Sequence, residues 1–566
     1  MDIITVMITT PLPVSPVQVC KHWRSVGEAP GLWRWTILRV SNANLADITY
    51  MLGRRRMLGI KRMEVKIRFY DSNPLDKRHS CGKSGGKLEI LLKAMSKHPN
   101  LREVDFNETD FKSVHSHLLV KTLMKVEDAR NLDSAQMTSQ QLTDLLTRMG
   151  RGSRLKRLNL FGKNLSSLNP VLLAQALTQL EELESCWTNL RPQQWEAIFA
   201  LLATSSSKLK KVDIFDNLRL VDAQLLATGL NNLEDVNIYF TKVTVAQVKA
   251  LLMETRKGTK LKKLSLERIQ LSSLKPSLIV EAVQQLEEVN LNTTSLTAHQ
   301  IERIAVGISS SRLRKLSISS NSLFSVDLDL LARGVMELEE VEMVNMGLTA
   351  EQAFVLVGAV AASCKLRRVN LELNDLSSVD PTLLAKAVGK LEDINLGSTC
   401  LTYRQLVEIC SNLQDGTKVK KISLWRNNIS NVDKKLLAGA LLQVSEVDLT
   451  ATRLTEQQAM ALFASLQTPK KLMKLKIAWN PSLWRIRNTG VMAKGLNKLD
   501  CVEIFGGVDE QGDSSLPSIG HVTSILKQSL VSTQLRKINI GKVKGGEVDE
   551  DLVKRAREVI DKVILF

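Results

Sequence analysis

The sequence predicts an α/β solenoid, with short parallel strands side by side on a concave face and helices outside. Three observations predict it. A short unit with fixed apolar spacing recurs from about residue 101 to the end. It has two alternating forms, and the first recurs every 53 residues, as from Leu313 to Leu366 (366 − 313 = 53). Helix-start signals follow many of the copies.

The strand comes first. The first form begins at Leu155 (LKRLNLFGKNL), Leu209, Leu261, Leu313, Leu366, Val419 and Leu472. The second begins at Leu180 (LEELESCWTNL), Leu233, Leu286, Leu338, Leu391 and Val444. Apolar residues at the first, fourth and sixth positions face inward, with a short strand around the last two. The ninth position is often Asn in the first form (Asn217, Asn321, Asn374, Asn427, Asn480) and Thr in the second (Thr188, Thr241, Thr294, Thr399, Thr452). Side chains buried at such a turn need partners, and neighbouring backbone groups supply them, so an internal polar ladder is expected.

The helix follows. Thr297, Thr349, Thr402 and Thr455 stand three residues before Gln300, Gln352, Gln405 and Gln458, the spacing of a capping box. Each cap contributes about 1 kcal/mol. After first-form strands, Asn169 and Asp380 can cap, and Pro170 and Pro381 fit the first helical turn.

The third position of each unit carries a charge that changes sign. Arg157, Lys211, Lys263, Lys315, Arg368 and Lys421 alternate with Glu182, Asp235, Glu288, Glu340, Asp393 and Glu446. Strands of a parallel sheet lie roughly 4.8 Å apart, so each cation has acidic neighbours on both sides. An exposed pair is worth only about 0.2–1 kcal/mol, and the larger effect is that a one-sign column is avoided.

This pattern resembles the ribonuclease-inhibitor type of leucine-rich repeat, which also alternates two repeat forms of about these lengths. The resemblance implies a leucine-rich-repeat horseshoe with parallel strands inside and helices outside. It implies little about the bound partner, because the architecture serves many binding roles.

The N-terminal stretch VQVCKHWRSVGEAPGLWRW carries a second resemblance. Val19, Cys20, Trp23, Arg24, Pro30, Leu32, Trp33 and Arg34 are similar to the second half of an F-box. Only MDIITVMITTPLPVSP precedes the match, so the first F-box helix is missing or shortened here. The resemblance implies that Val19, Cys20, Trp23, Leu32 and Trp33 hold a Skp-family adaptor and, through it, a cullin. The alternative is that this segment only caps the solenoid. The expected organisation is residues 1–35 as a partial F-box-like helical segment and 36–100 as irregular first repeats. Alternating repeats follow over 101–498, then an irregular repeat and capping helix over 499–566. Within 36–68 the order reads strand (TILRV), helix, strand (KRMEVKI). Arg54, Arg55, Arg56, Lys61 and Arg62 form a basic cluster there, either a solvated face or a contact for an acidic partner or nucleic acid. At the far end GGVDEQGDSSLPSIG reads as a surface loop. Val548, Leu552, Val559, Val563 and Ile564 fall mostly on one face of a closing helix.

Nothing points to catalysis. CGKSGGK, residues 81 to 87, lacks the first glycine of a phosphate loop, because Lys77 stands there, and reads as a glycine-rich linker. His115 and His117 have no partners at ligand spacing and read as a half-exposed helix start. No nucleophile setting appears, and no cofactor or metal is expected. The aromatics are more informative, since they make up only 4% of the chain. Phe161, Trp187, Phe215, Tyr239 and Phe240 occupy the seventh and eighth positions of four consecutive units. They would form a concave-face patch spanning roughly 15 Å, suited to protein binding. Trp425, Arg426, Trp479 and Trp484 form a second group; in both, the alternative is rings tucked against the loops beneath.

The expected function is protein recognition, as a substrate receptor of an SCF-type cullin ubiquitin ligase with an unknown protein substrate on the concave face. The alternatives are a ribonuclease-inhibitor-like scaffold without a ubiquitin role, or nucleic-acid binding through the basic end. The 566 residues carry a net charge of +18, but the balanced column disfavours nucleic acid along the strands. Seven scattered cysteines without a CxxC pair suggest small buried thiols in a reducing compartment. The first residues lack a basic head, and no run of about 18 apolar residues occurs. A cytoplasmic or nuclear protein is therefore expected, monomeric outside its complex.

Overall fold

Leu313, Leu316 and Ile318 are buried beneath the Lys315–Ser317 strand, and Leu338, Val341 and Met343 beneath the Glu340–Glu342 strand that follows. The same three positions are buried in unit after unit, so each strand is anchored from one side and presents its intervening residues on the other. The computed structural model describes residues 37–40, 62–65 and 81–566, except 99, 107–108, 131, 133–134, 205–206, 415, 468–470, 509–513, 532, 545, 547, 561 and 566.

The chain divides into two compact units, Met1–Ile269 and Gln270–Phe566. In the first, strands from Ile37–Val40 to Lys263–Ser265 pair in chain order, every neighbour parallel. In the second, strands from Glu288–Asn290 to Cys501–Glu503 do the same and continue through Lys537–Gly541 to Lys562–Leu565. Parallel neighbours need a crossover, and a helix supplies it in nearly every unit. The result is an α/β leucine-rich-repeat solenoid, with the core held between a strand layer and a helix layer.

The charge column forms in register. Arg157 pairs across from Glu182, Lys315 from Glu340, Glu340 from Arg368, and Asp393 from Lys421. Arg157 Nε lies 3.1 Å from Glu182, and Lys315 Nζ 2.6 Å from Glu340, which also meets Arg368. Lys421 reaches Asp393 at 3.9 Å and Glu446 at 3.7 Å. A parallel column at the second position has Lys420 at 2.7 Å from Glu392 and Lys262 at 2.8 Å from Glu234. Burial alone would raise the Glu340 pKa, but Lys315 and Arg368 outweigh it and hold the carboxyl below its ordinary value. Burial pushes Asp393 the other way, above its ordinary value. A folded-state pKa below the unfolded one stabilises the fold above the unfolded value and ceases to do so as pH falls through the folded value. The unfolding free energy should therefore drop more steeply below about pH 4.5 in the native chain than in Glu340→Gln. Paired urea titrations at pH 6 and pH 3 check this, and equal drops contradict it.

The polar ladder also forms. Asn374 Nδ2 donates to Met343 O (2.7 Å) and Leu371 O (2.9 Å), while its Oδ1 accepts from Met346 N (2.8 Å). Asn321, Asn427 and Asn480 repeat the pattern. The buried hydroxyls of Thr294, Thr399 and Thr452 each donate to a backbone carbonyl three residues back. Capping boxes are present at Thr297, Thr349 and Thr455, and Thr402 exchanges the same pair of bonds with Gln405. The glutamines do more than cap. Gln300 Nε2 reaches back to Leu271 O (2.9 Å) and Leu274 O (2.8 Å), and Gln405 to Leu376 O and Val379 O (both 2.7 Å). Each buried amide thereby ties a helix start to the loop of the preceding unit.

Several expectations need correction. Asn217 is exposed and does not enter the ladder. Asp216 takes its place, accepting from Leu190 N (3.3 Å) and Thr188 Oγ1 (3.4 Å). The reason is local: the Lys211–Phe215 strand runs five residues against Glu182–Cys186, two more than most, which displaces the turn. CGKSGGK is not a linker, because it opens the Cys81–Lys97 helix. Glycines there cost about 1 kcal/mol each relative to alanine, and burial of Leu88, Leu91, Leu92 and Met95 further along offsets it. The closing helix ends at Val559, which is exposed. Val563 and Ile564 belong to the Lys562–Leu565 strand instead, as suits β-branched residues at a sheet edge. The glycine-rich loop near 510 contains a two-strand antiparallel pairing, Gly507–Val508 with Ser514–Ser515. Of the cysteines, Cys410 is buried and its thiol pushed up to about 12 by burial, but Cys364 and Cys400 are exposed. The expected strands at 36–40 and 61–67 appear as Ile37–Val40 and Arg62–Val65.

Candidate partner-binding face

Four of the five rings expected to group do so. Trp187 and Phe215 have centroids 5.0 Å apart, Phe215 and Tyr239 5.4 Å, Phe215 and Phe240 5.5 Å, and Tyr239 and Phe240 6.0 Å. Phe215 is the hub because its strand continues two residues further than most, carrying the seventh position into the sheet. The cluster is open to solvent: Trp187 is 59% exposed and Phe240 43%. Phe161, 47% exposed, stands outside the ring contacts.

The backbone explains the exposure. The eighth position has positive φ in nearly every unit: 59° at Trp187, 54° at Phe240, 62° at Arg268, 57° at Arg426 and 57° at Trp479. In this left-handed conformation the side chain leans away from the core. It costs an L-residue roughly 1–2 kcal/mol, and bulky rings there are outliers. Gly162 shows what the position favours (φ 69°). Large rings held at such a cost and left in solvent are the pattern of a recognition surface rather than of packing.

The second group divides. Trp479 is exposed, and Trp425 is half-buried with the Arg426 guanidinium 5.6 Å from its ring centre. These two tryptophans make no ring contact with each other. Trp425 lies over Gly397 of the preceding unit, where any side chain would collide with its indole nitrogen. Trp484 meets His521 edge-on at 5.7 Å, and His521 is fixed by Ser518 (2.7 Å) and Ile486 O (3.0 Å). Trp484 is therefore tucked, as the alternative expectation had it. Trp425 also borders a hollow of about 350 Å³ lined by Glu340, Arg368, Glu372, Asp393 and Lys421. Its full lining holds six carboxylates against three cations, several of them in ion pairs with one another, and it lacks the apolar lining of small-molecule sites. His115 and Ser116 open the Ser116–Leu123 helix, with the His115 ring exposed beside Glu89.

Val19, Cys20, Trp23, Leu32 and Trp33 lie outside the described residues, as do Arg54, Arg55, Arg56 and Lys61. Arg62 lies in a strand whose side chains are not described.

No family model matches the chain. Among curated proteins it is similar to the ribonuclease inhibitor of Sus scrofa, 27% identical over 209 residues, covering 34% of this chain and 46% of the relative. It is also similar to that of Mus musculus, 25% identical over 256 residues, covering 42% and 55%. The chain thus spans about half the length of these relatives. Among solved structures it is similar to the leucine-rich repeat-containing protein LegL7 from Legionella pneumophila, with a TM-score of 0.35 and 16% identity over 53% of this chain and 98% of that one. A second is a TLR13–ssRNA13 complex, with a TM-score of 0.41 and 14% identity over 93% and 77%.

Proposed function

We propose that this chain is a non-catalytic recognition scaffold that docks a partner protein on the sheet face around Trp187, Phe215, Tyr239 and Phe240. The carrying observation is the contiguous ring cluster with its two outer rings in the left-handed backbone region, exposed to solvent. Similarity to ribonuclease inhibitors over part of the chain supports a binding role. The test is quantitative capture from lysate with the native chain, the Trp187→Ala/Phe240→Ala pair and a distant surface control, Val531→Ala. A protein retained by native and control but lost with the pair supports the reading. Identical capture by all three ends it.

The finer reading, a substrate receptor of an SCF-type ligase, rests on the V-C-x-x-W-R and P-x-L-W-R matches around Trp23 and Trp33. In it the N-terminal segment holds a Skp-family adaptor and cullin, the sheet face holds the substrate, and partners carry out all ubiquitin transfer. Adaptor and cullin should co-purify with the native chain and not with Trp33→Ala. Their absence from the native capture removes this reading and leaves the scaffold reading intact.

A further inference from the structure

Arg268 already covers one ring of the cluster. Its guanidinium carbon lies 3.9 Å from the centre of Phe240, and its Nε is 4.0 Å from Glu267 Oε1. The Arg426 guanidinium also lies near a ring, 5.6 Å from the centre of Trp425. Both arginines occupy the eighth position with φ near 60°. A guanidinium laid on a ring beside a carboxylate is thus a contact the cluster already makes within its own chain, at Arg268.

At 59% against 43% for Phe240, Trp187 is the more exposed of the cluster's two eighth-position rings. Among the described residues no cation sits over it, although Trp offers the strongest ring face for one. The eighth position of the preceding unit is Gly162, and nothing lies within 4 Å of where its Cβ would stand. An open slot therefore stands at the eighth position one strand over from the indole. The turn positions around it carry more carboxylates than cations in a chain of net charge +18, although Lys211 lies 3.4 Å from Asp213 and Asn159 donates to Glu184 (2.7 Å). Positions five to nine of the five units from Leu155 to Leu261 hold Glu184, Asp213, Asp216 and Glu267 against Lys163 and Arg268. Lys163 turns its ammonium to Ala135 O at 2.7 Å.

We infer that the Trp187 face receives an arginine side chain presented by an extended segment of the partner protein. The inference rests on the docking reading above and adds the chemistry of what docks. Arginine suits the slot better than lysine, because a planar guanidinium stacks flat on the indole while its edge donates to the neighbouring carboxylates.

Fluorescence anisotropy of the full chain with a dye-labelled (Gly-Arg)4 peptide tests it, beside the lysine and the isosteric, uncharged citrulline counterparts. The arginine peptide should bind at least about fivefold tighter than the lysine peptide and about tenfold tighter than the citrulline one. Trp187→Ala should abolish the preference for arginine over lysine, and Trp187→Phe should keep part of it. Glu184→Gln, which leaves every ring in place, should weaken arginine binding more than citrulline binding. Equal affinity for arginine and lysine peptides, or a preference that survives Trp187→Ala, overturns the inference. If that happens while Trp187→Ala/Phe240→Ala still loses the captured protein, the arginine assignment alone falls. Self-association that depends on Trp187 in sedimentation would assign the face to a second copy and equally overturn it.

Discussion

Replacing Asn374 with leucine lowers the unfolding free energy by about 3 kcal/mol, while the same change at Asn217 lowers it by under about 1 kcal/mol. The two residues hold equivalent positions in their units, so sequence alone predicts equal effects. Asn374 is buried, and its amide serves two carbonyls and one N–H that no water reaches. Leucine matches its size but leaves those groups unpaired, at about 1–3 kcal/mol for each one truly orphaned. Asn217 accepts a single bond from Arg219 N at the surface. Asp216→Ala should fall between them, since Asp216 accepts at this turn but cannot donate. Urea denaturation with fixed m-values measures all three. A large loss at Asn217 and none at Asn374 would invert the ladder described here.

Trp187→Ala weakens partner binding by about 2 kcal/mol or more, roughly thirtyfold, as truncation of a central aromatic anchor does. Its effect on stability is informative in a different way. At φ 59° a residue with a Cβ is strained. Trp187→Gly should therefore be about 1 kcal/mol more stable than Trp187→Ala, although glycine normally destabilises. Both variants lose the partner. Loss of function with relief of backbone strain marks a residue kept for binding. If Trp187→Gly is the less stable variant, the left-handed placement is not what holds this ring outward.

Much of this was legible in the chain. The 53-residue period and the first, fourth and sixth apolar positions specify strand spacing and core, and the sign change from Arg368 to Asp393 survives directly as paired charges across adjacent strands. The spacing of the recurrent Gln from Thr reveals only its capping role. Its remaining amide hydrogens, buried, had to find acceptors, and that need was the available signal for the tie to the preceding loop. The sequence places the eighth position on the concave face but does not by itself give its conformation. Gly162, Ser320, Asn345 and Ser398 at that place were the hint, because small and amide-bearing residues tolerate positive φ. The extra strand residue at Phe215 could not be read, because only pairing with Glu182–Cys186 decides it. Trp484 and Trp425 look alike in sequence, yet one packs on His521 and the other overhangs Gly397.

The most direct measurement places a photo-crosslinking benzoylphenylalanine at Phe161, beside the ring cluster, or at Phe354, exposed on the helix layer. Illumination in lysate should give a discrete crosslinked protein from position 161 that disappears when Trp187→Ala is added, and no such product from position 354. The same product from position 354, or one from position 161 that persists without Trp187, would contradict the assignment of partner binding to this face.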